Sequence, residues 1–305
     1  MSTSLSRLEG LAPPATGGWR GVALDYYELT KPRIAYLLLI TTFAAMVMAT
    51  HGMPSASLTL LTLLGGALAA GSAGAFNCVI DRDIDRLMTR TMARPVATGR
   101  ISPAAAVIFA TILGALSFAL LYRYVNSLAA WLSLAGNAYY VLVYTLWLKR
   151  RTTLNIVIGG AAGALPPLVG WAAVTHSVGT PALALFALIF LWTPPHFWAL
   201  ALMAELDYGR ANVPMLPNVR GARRTKIEIF IYTIVLVAVS LALTPLGIMG
   251  LWYFVPAAIL GGIFIWDAWK LLDGPTKPLA RITFKYSLIY LALMCAAMVL
   301  DRLLV

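Results

Sequence analysis

The chain has 305 residues, is 60% hydrophobic and only 11% charged, has a mean hydropathy of +0.81 and carries a formal net charge of +11. A soluble domain carries about 25% charged residues, so this composition excludes a water-soluble globular enzyme and predicts an integral membrane protein. The basic excess sits on no soluble domain, which excludes nucleic acid as a partner, and Cys78 and Cys295 lie far apart inside apolar runs, with neither disulfide-framework nor zinc spacing.

Residues 1–30 lack the apolar core of a signal peptide and the arginine density of a transit peptide, and are expected to form a flexible cytoplasmic tail. From residue 31 to 305, runs such as LTLLTLLGGALAAGSAGAF are continuously apolar rather than alternating, which predicts helices and not barrel strands. The expected fold is therefore an all-α integral membrane protein, a single domain of nine transmembrane helices. The spans fall at roughly 33–50, 58–80, 104–124, 128–148, 154–174, 181–203, 227–247, 251–270 and 285–304. Threaded this way, all of the 23 lysines and arginines except Arg123 and Arg302 lie on the N-terminal side, so the N-terminus is predicted to be cytoplasmic and the C-terminus outside. The result is one basic face, suited to anionic membrane lipid.

Where the second span ends, the chain reads NCVIDRDIDRLMTRTMARP. Asn77, Asp81 and Asp85 are four apart and share one face of a helix leaving the membrane, while Asp83 points elsewhere. Carboxylates at that spacing repel, so a cation belongs between them. A salt-bridged helix end would supply it from Arg82, Arg86, Arg90 and Arg94. A ligand site would also supply it: carboxylates at the end of an apolar span mark functional positions, and an all-oxygen donor set suits Mg²⁺ shared with substrate phosphates. Arg90 and Arg94, just beyond, carry the planar fork that grips phosphate oxygens. After the sixth span, AELDYGRANVPMLPNVRGARRTK repeats the theme, with Asp207 followed by Arg210, Arg220, Arg223, Arg224 and Lys226. An acidic helix end followed by a basic loop in each half is a weak sign of internal duplication. Lysines and arginines at other span ends, Lys31, Arg33, Lys149, Arg150 and Arg151, read first as positive-inside anchors. The proline pairs in PPLVGW and TPPH are expected to bend spans five and six.

Together with the acidic stretch, the segments LTKPRI (29–34), YTLWLKRRTTLNIVIGGAAGALPPLVGW (144–171), LWTPPHFWALAL (191–202) and DYGRANVPMLPNVRG (207–221) make the chain resemble the UbiA superfamily of intramembrane prenyltransferases, and within it the haem-farnesylating branch. The resemblance spans most of the chain from Leu29 to Gly221. It implies a UbiA-type bundle that transfers the farnesyl group of farnesyl diphosphate to a vinyl group of haem B, with water addition, using Mg²⁺. It further implies that Asp81, Asp85 and Asp207 are catalytic and that Asn77, Asp81 and Asp85 hold the metal. Asn77, Arg90, Arg94, Arg210 and Lys226 would bind diphosphate, and His196, Lys31 and Arg33 would line a haem pocket. His196, inside span six, serves equally well as a haem ligand or as a hydrogen-bonded core residue, whereas His51 and His176 fall in outer loops. Tyr139, Tyr140, Tyr144 and Trp192 are candidates to stabilise an allylic cation through their ring faces, or packing residues. The chain departs from the wider superfamily at Ala211, where a second aspartate is usual. The implied setting is a bacterial inner membrane with the catalytic face cytoplasmic, the product passing to a haem-modifying enzyme or a terminal oxidase assembly factor. Two rivals stay open: a prenyltransferase acting on a quinone precursor, which would be expected to keep the second aspartate, and a cation-coupled transporter, which would hold its acids near mid-membrane.

Overall fold

Fourteen α-helices and one π-helix make up the described residues, 18–304, of a computed structural model, with no strand among them. In chain order the helices are α1 (Trp19–Leu29), α2 (Pro32–Thr50), α3 (Ala56–Ile80), α4 (Arg82–Asp85), α5 (Pro95–Thr98), α6 (Pro103–Tyr124) and α7 (Ser127–Ala138). The π-helix (Tyr139–Leu148) follows, then α8 (Asn155–Gly159), α9 (Ala161–Thr175), α10 (Thr180–Met203), α11 (Glu205–Arg210), α12 (Leu216–Ala242), α13 (Leu251–Asp273) and α14 (Thr276–Leu304).

Eight helical segments among the described residues are long and apolar enough to cross a membrane: α2, α3, α6, α8 with α9, α10, α12, α13 and α14. The ninth expected span, 128–148, differs in kind. There, 12 residues of α7 run directly into 10 of π-helix, so neither part has spanning length alone. Part of the segment expected to be a flexible tail is helical. Residues 19–29 form α1, and only residues 1–17 of that expectation lie outside the described residues.

Local chemistry sets the helix ends. Ser55, Ser102 and Asn126 accept hydrogen bonds from the backbone N–H groups of Leu58, Ala105 and Ala129, capping α3, α6 and α7, and Pro103 fits the first turn of α6 because it needs no donor there. His51 and His176 close α2 and α9 in the left-handed conformation, consistent with a loop rather than a site role. At the far end of the molecule the carboxylate of Asp301 on α14 accepts from the N–H groups of Gly250 (2.8 Å) and Tyr253 (3.0 Å), capping α13 from a neighbouring helix.

Small residues let the helices approach. α3 packs on α6, α6 on α7, α7 on α9 and α9 on α2; α10, α12, α13 and α14 follow as neighbours, and α14 returns to α2 and α10. Ser117 of α6 donates to the Gly65 carbonyl of α3 at 2.7 Å, the small-residue contact expected where lipid gives helices no hydrophobic reason to associate. At the α2–α9 seam a β-carbon on Gly170 would lie 2.2 Å from the Thr42 carbonyl oxygen.

α1 is fastened to this bundle. Arg100, in the link before α6, bonds Asp25 at 2.9 Å and approaches Glu28 at 3.6 Å, Tyr26 stacks edge-on against Phe109, and Gly74 of α3 leaves room for the Leu29 and Thr30 carbonyls. Arg100→Gln is expected to lower stability by about 1 kcal/mol and to speed amide exchange selectively across residues 19–29; uniform exchange would show that the packing of Leu29 and Tyr26 alone holds the helix.

Candidate active site

The last turn of α3 continues into α4 without losing register. Asp81 N–H donates to the Asn77 carbonyl at 2.9 Å and Asp85 N–H to the Asp81 carbonyl at 2.8 Å, so Asn77, Asp81 and Asp85 stack on one face as the spacing predicts. All three are buried, at 2%, 0% and 2% exposure. Asp83 turns outward to Arg150, 2.7 Å away, whose hydrogen bonds pull its carboxyl down to about 2.

Burial of two carboxylates demands counter-charges, and each has its own. Asp85 accepts from Arg94 Nη1 at 2.9 and 2.8 Å through its two oxygens. Burial, the largest single influence, works against the charge on Arg94, yet the groups around it, Asp85 foremost, together outweigh it and raise the guanidinium above its ordinary value. Asp81 Oδ2 accepts from Lys149 Nζ and from Asn77 Nδ2, the latter at 2.8 Å. Asn77 in turn donates to Thr145 Oγ1 at 3.1 Å and accepts from Lys31 Nζ, an ammonium whose burial lowers it from its ordinary value. Asp81 Oδ1 is buried with no hydrogen-bond partner.

The π-helix makes this arrangement possible. Its wider turn lets Thr145 Oγ1 donate to the carbonyl of Tyr140, five residues back, at 2.9 Å, and ends at Lys149, so that Thr145 and Lys149 both reach the acidic ladder. Single π turns inside helices are rare and concentrate at functional sites. Gly159 of α8 leaves space for the Tyr144 ring, which a β-carbon there would meet at 2.3 Å.

Asp207 arrives from the other half of the chain, on α11. It accepts from Thr89 Oγ1 at 2.9 Å and from the Arg90 N–H at 3.4 Å, with Arg210 at 3.9 Å. Burial pushes its carboxyl up, but the Thr89 and Arg90 hydrogen bonds prevail and hold it below the usual range. It thus grips the loop carrying Arg90 and Arg94. Ala211, the missing second acid, is buried in an apolar cluster with Ile84, Met88 and Val213, so the second half contributes one carboxylate and no more at this point.

Several expected residues are placed elsewhere. Lys226 donates to the carbonyls of Leu272 (3.4 Å) and Gly274 (3.0 Å), closing the C-terminal end of α13 and not facing the acids. Arg33, Arg90 and Arg210 are exposed. The trio His196, Lys31 and Arg33 is not gathered: Lys31 belongs to the Asn77 group, Arg33 faces outward, and His196 lies in the α10–α14 seam. There its Nδ1 is 2.7 Å from Ser287 Oγ, and its ring is stacked between Trp192 (4.4 Å) and Phe284 (4.6 Å). Ser287 Oγ donates its own hydrogen to the Phe284 carbonyl at 2.7 Å, so it accepts from Nδ1–H and leaves the lone pair on Nε2. Trp192 is committed too, its Nε1 donating to the Ser287 carbonyl at 2.8 Å. Reasoning from sequence missed Thr89 and Thr145, which carry no signal before the chain is folded, and undervalued Lys149, whose KRR context looks like an anchor.

Among the described residues no three His, Cys, Asp or Glu side chains converge as a metal cluster. The oxygen-only set of Asn77, Asp81 and Asp85, with Asp81 Oδ1 free of hydrogen bonds and 3.8 Å from Arg150, nevertheless fits a hard divalent ion brought in by a phosphate ligand.

Fold and site define a polytopic helical membrane protein with a buried acid–amide ladder, surrounded by lysine and arginine, at one end of the bundle. The model of the UbiA prenyltransferase family matches residues 38–293, and the chain belongs to that family. It is 55% identical over 295 residues, 96% of this chain and 93% of the relative, to a protein of Picosynechococcus sp. named protoheme IX farnesyltransferase. Among solved structures it is similar to one described as digeranylgeranylglyceryl phosphate synthase in membranes (TM-score 0.77, 20% identity, 93% of this chain and 99% of that one). It is also similar to a UbiA homologue from Archaeoglobus fulgidus bound to GPP and Mg²⁺ (TM-score 0.63, 19% identity, 90% and 99%).

Proposed function

We propose that this protein transfers the farnesyl group of farnesyl diphosphate to a vinyl carbon of haem B, with water added, releasing diphosphate and haem O. The observation that carries the chemistry is the buried Asn77–Asp81–Asp85 ladder, already ringed by Lys31, Lys149 and Arg94. The acceptor is taken from the relative that is 55% identical along almost the whole chain and bears the name protoheme IX farnesyltransferase.

Asn77, Asp81 and Asp85 would hold Mg²⁺ against the diphosphate. When bound, the ion supplies positive charge for the departing diphosphate oxygens. Lys149, Lys31 and Arg94 then exchange carboxylate and amide oxygens for phosphate oxygens, contacts that strengthen as negative charge accumulates on the leaving group. Asp207, through Thr89 and the Arg90 backbone, fixes the loop that delivers Arg94. Breakage of the C1–O bond sends its electron pair to diphosphate; the vinyl π electrons form the new C–C bond, and water completes the other vinyl carbon with loss of a proton. Tyr140 and Tyr144, with ring centroids 5.4 Å apart, offer π faces to the allylic cation beside the ladder. The acids and their cations lie at the end of the bundle, not at its middle, and are held by arginine and lysine, which favours an anionic ligand over transported cations. The catalytic face is then cytoplasmic and the membrane a bacterial inner membrane.

Incubating membranes that contain the protein with farnesyl diphosphate, haem B and Mg²⁺ should yield a more hydrophobic haem on chromatography. Prenylation of a quinone precursor with haem B untouched would overturn the acceptor assignment. His196 adds a separate expectation: with its Nε2 lone pair free, His196→Gln should abolish the Soret shift seen when haem B is added while leaving farnesyl diphosphate binding intact. An unchanged spectrum would make it a packing residue.

A further inference from the structure

Thr145, fully buried in the π-helix, makes two hydrogen bonds of opposite sense. Its Oγ1 donates to the Tyr140 carbonyl at 2.9 Å and accepts from Asn77 Nδ2 at 3.1 Å. Buried threonines of the α-helices, Thr193, Thr233 and Thr283, place the same hydrogen on the carbonyl four residues back. Thr145 reaches five back because the π turn sets that carbonyl beneath it. A hydroxyl has one hydrogen, so with that hydrogen committed to Tyr140, Thr145 offers Asn77 only a lone pair. The carboxylate oxygen Asp81 Oδ2, 2.8 Å from Asn77 Nδ2, likewise only accepts. Both hydrogens of the amide nitrogen are therefore fixed, and the amide oxygen is turned to Lys31 Nζ.

We propose that Thr145 is a positioning residue that keeps the oxygen of the Asn77 amide, and not its NH2 group, on the ligand side of the ladder; the inference rests on the reading of Asn77 as an oxygen donor to Mg²⁺. Three neighbours orient the amide: Lys31, Asp81 and Thr145. In the proposed function Lys31 and Asp81 both take on the ligand, which releases two of these constraints. Thr145 is neutral and its hydrogen is held by main chain, so nothing in the ligand competes for it. It alone holds the amide with and without ligand. Without the hydroxyl the amide is free to turn over and present hydrogens where an oxygen is needed. The wider turn between Tyr140 and Thr145 thus has a chemical consequence: it settles the direction of the hydrogen bond, and with it the polarity of Asn77.

The test measures binding rather than turnover. Full-length protein in nanodiscs receives farnesyl S-thiolodiphosphate, an unreactive analogue of the donor, without haem B, and Mn²⁺, a paramagnetic stand-in for Mg²⁺, is titrated by electron paramagnetic resonance. Losing an outer partner of a metal ligand costs about 10–100-fold in affinity, so Thr145→Val, which exchanges the hydroxyl for a methyl of similar shape, should weaken Mn²⁺ binding at least ~10-fold. Thr145→Ser keeps the hydroxyl and should bind as the wild type does. Thr233→Val removes an equally buried hydroxyl that has no bond to the ladder and should leave binding unchanged. In an Asn77→Ala background Thr145→Val should add nothing, because the hydroxyl acts through that amide. Thr145→Ala should match Thr145→Val, and serves in its place if the added methyl unsettles the π-helix. Wild-type affinity in Thr145→Val and Thr145→Ala, a loss that Thr145→Ser does not restore, or an undiminished loss in the Asn77→Ala background would overturn the positioning role and leave the metal reading of the ladder standing. A wild type that binds no Mn²⁺ beside the analogue would instead overturn that reading, and the role of Thr145 with it.

Discussion

Asp81→Ala is expected to lower haem farnesylation about a thousand-fold, the scale of losing a main electrostatic contact to charge that develops in the transition state. Asp81 is fully buried, holds Lys149 through Oδ2 and presents an Oδ1 that has no hydrogen bond and lies 3.8 Å from the Arg150 guanidinium. Removing it also strands the Lys149 ammonium, whose side chain is 14% exposed, and breaking one partner of a buried pair costs about 3–5 kcal/mol. Loss of activity by Asp81→Ala alone would therefore mix chemistry with instability. Pairing it with Lys149→Gln separates them: the double variant should recover much of the thermal midpoint and none of the activity. Farnesylation by a stable double variant at more than a tenth of the wild-type rate would refute the role of Asp81.

The second large effect belongs to the fold. Gly170→Ala places a methyl group against the Thr42 backbone carbonyl, 2.2 Å from a β-carbon at this position. A flexible side chain could swing aside, but this neighbour is main chain in the middle of α2, and Thr42 itself is tied by its hydroxyl to the Leu38 carbonyl at 2.9 Å. The helices must separate. Overpacking of this kind costs about 1–3 kcal/mol, and a contact with backbone belongs at the upper end of that range. Thermal unfolding in detergent would measure it, with Gly163→Ala as the control, because a β-carbon there meets nothing within 4 Å. Equal midpoints for the two variants would mean that the α2–α9 seam yields more easily than its geometry implies.

Much of the molecule was legible before folding. Continuous apolar runs locate the spans, because hydropathy acts through each segment's own length against the bilayer thickness. The i, i+4 spacing of Asn77, Asp81 and Asp85 places them on one face because the helical repeat is local, and the structure keeps that register across the α3–α4 junction. The outward turn of Asp83 follows from the same period.

What lay beyond the sequence was every partner that crosses it. Lys149 is 68 residues from Asp81, and Thr89 is 118 residues from Asp207. No local rule pairs them, so KRR read as an anchor and Lys226 as a phosphate ligand until helix packing sent one lysine to the acids and the other to the end of α13. The π-helix was hidden too, since its wider turn leaves no mark on an apolar run, and its cost is offset by tertiary contacts such as those that Thr145 and Lys149 make. α1 escaped because its fastening to Arg100 is tertiary. By itself, then, the chain determined which stretches enter the membrane and which polar residues share a helix face, both set by interactions within a few turns. The tertiary structure alone decided which cation meets which acid, because that depends on the distance and rotation between helices distant in the chain.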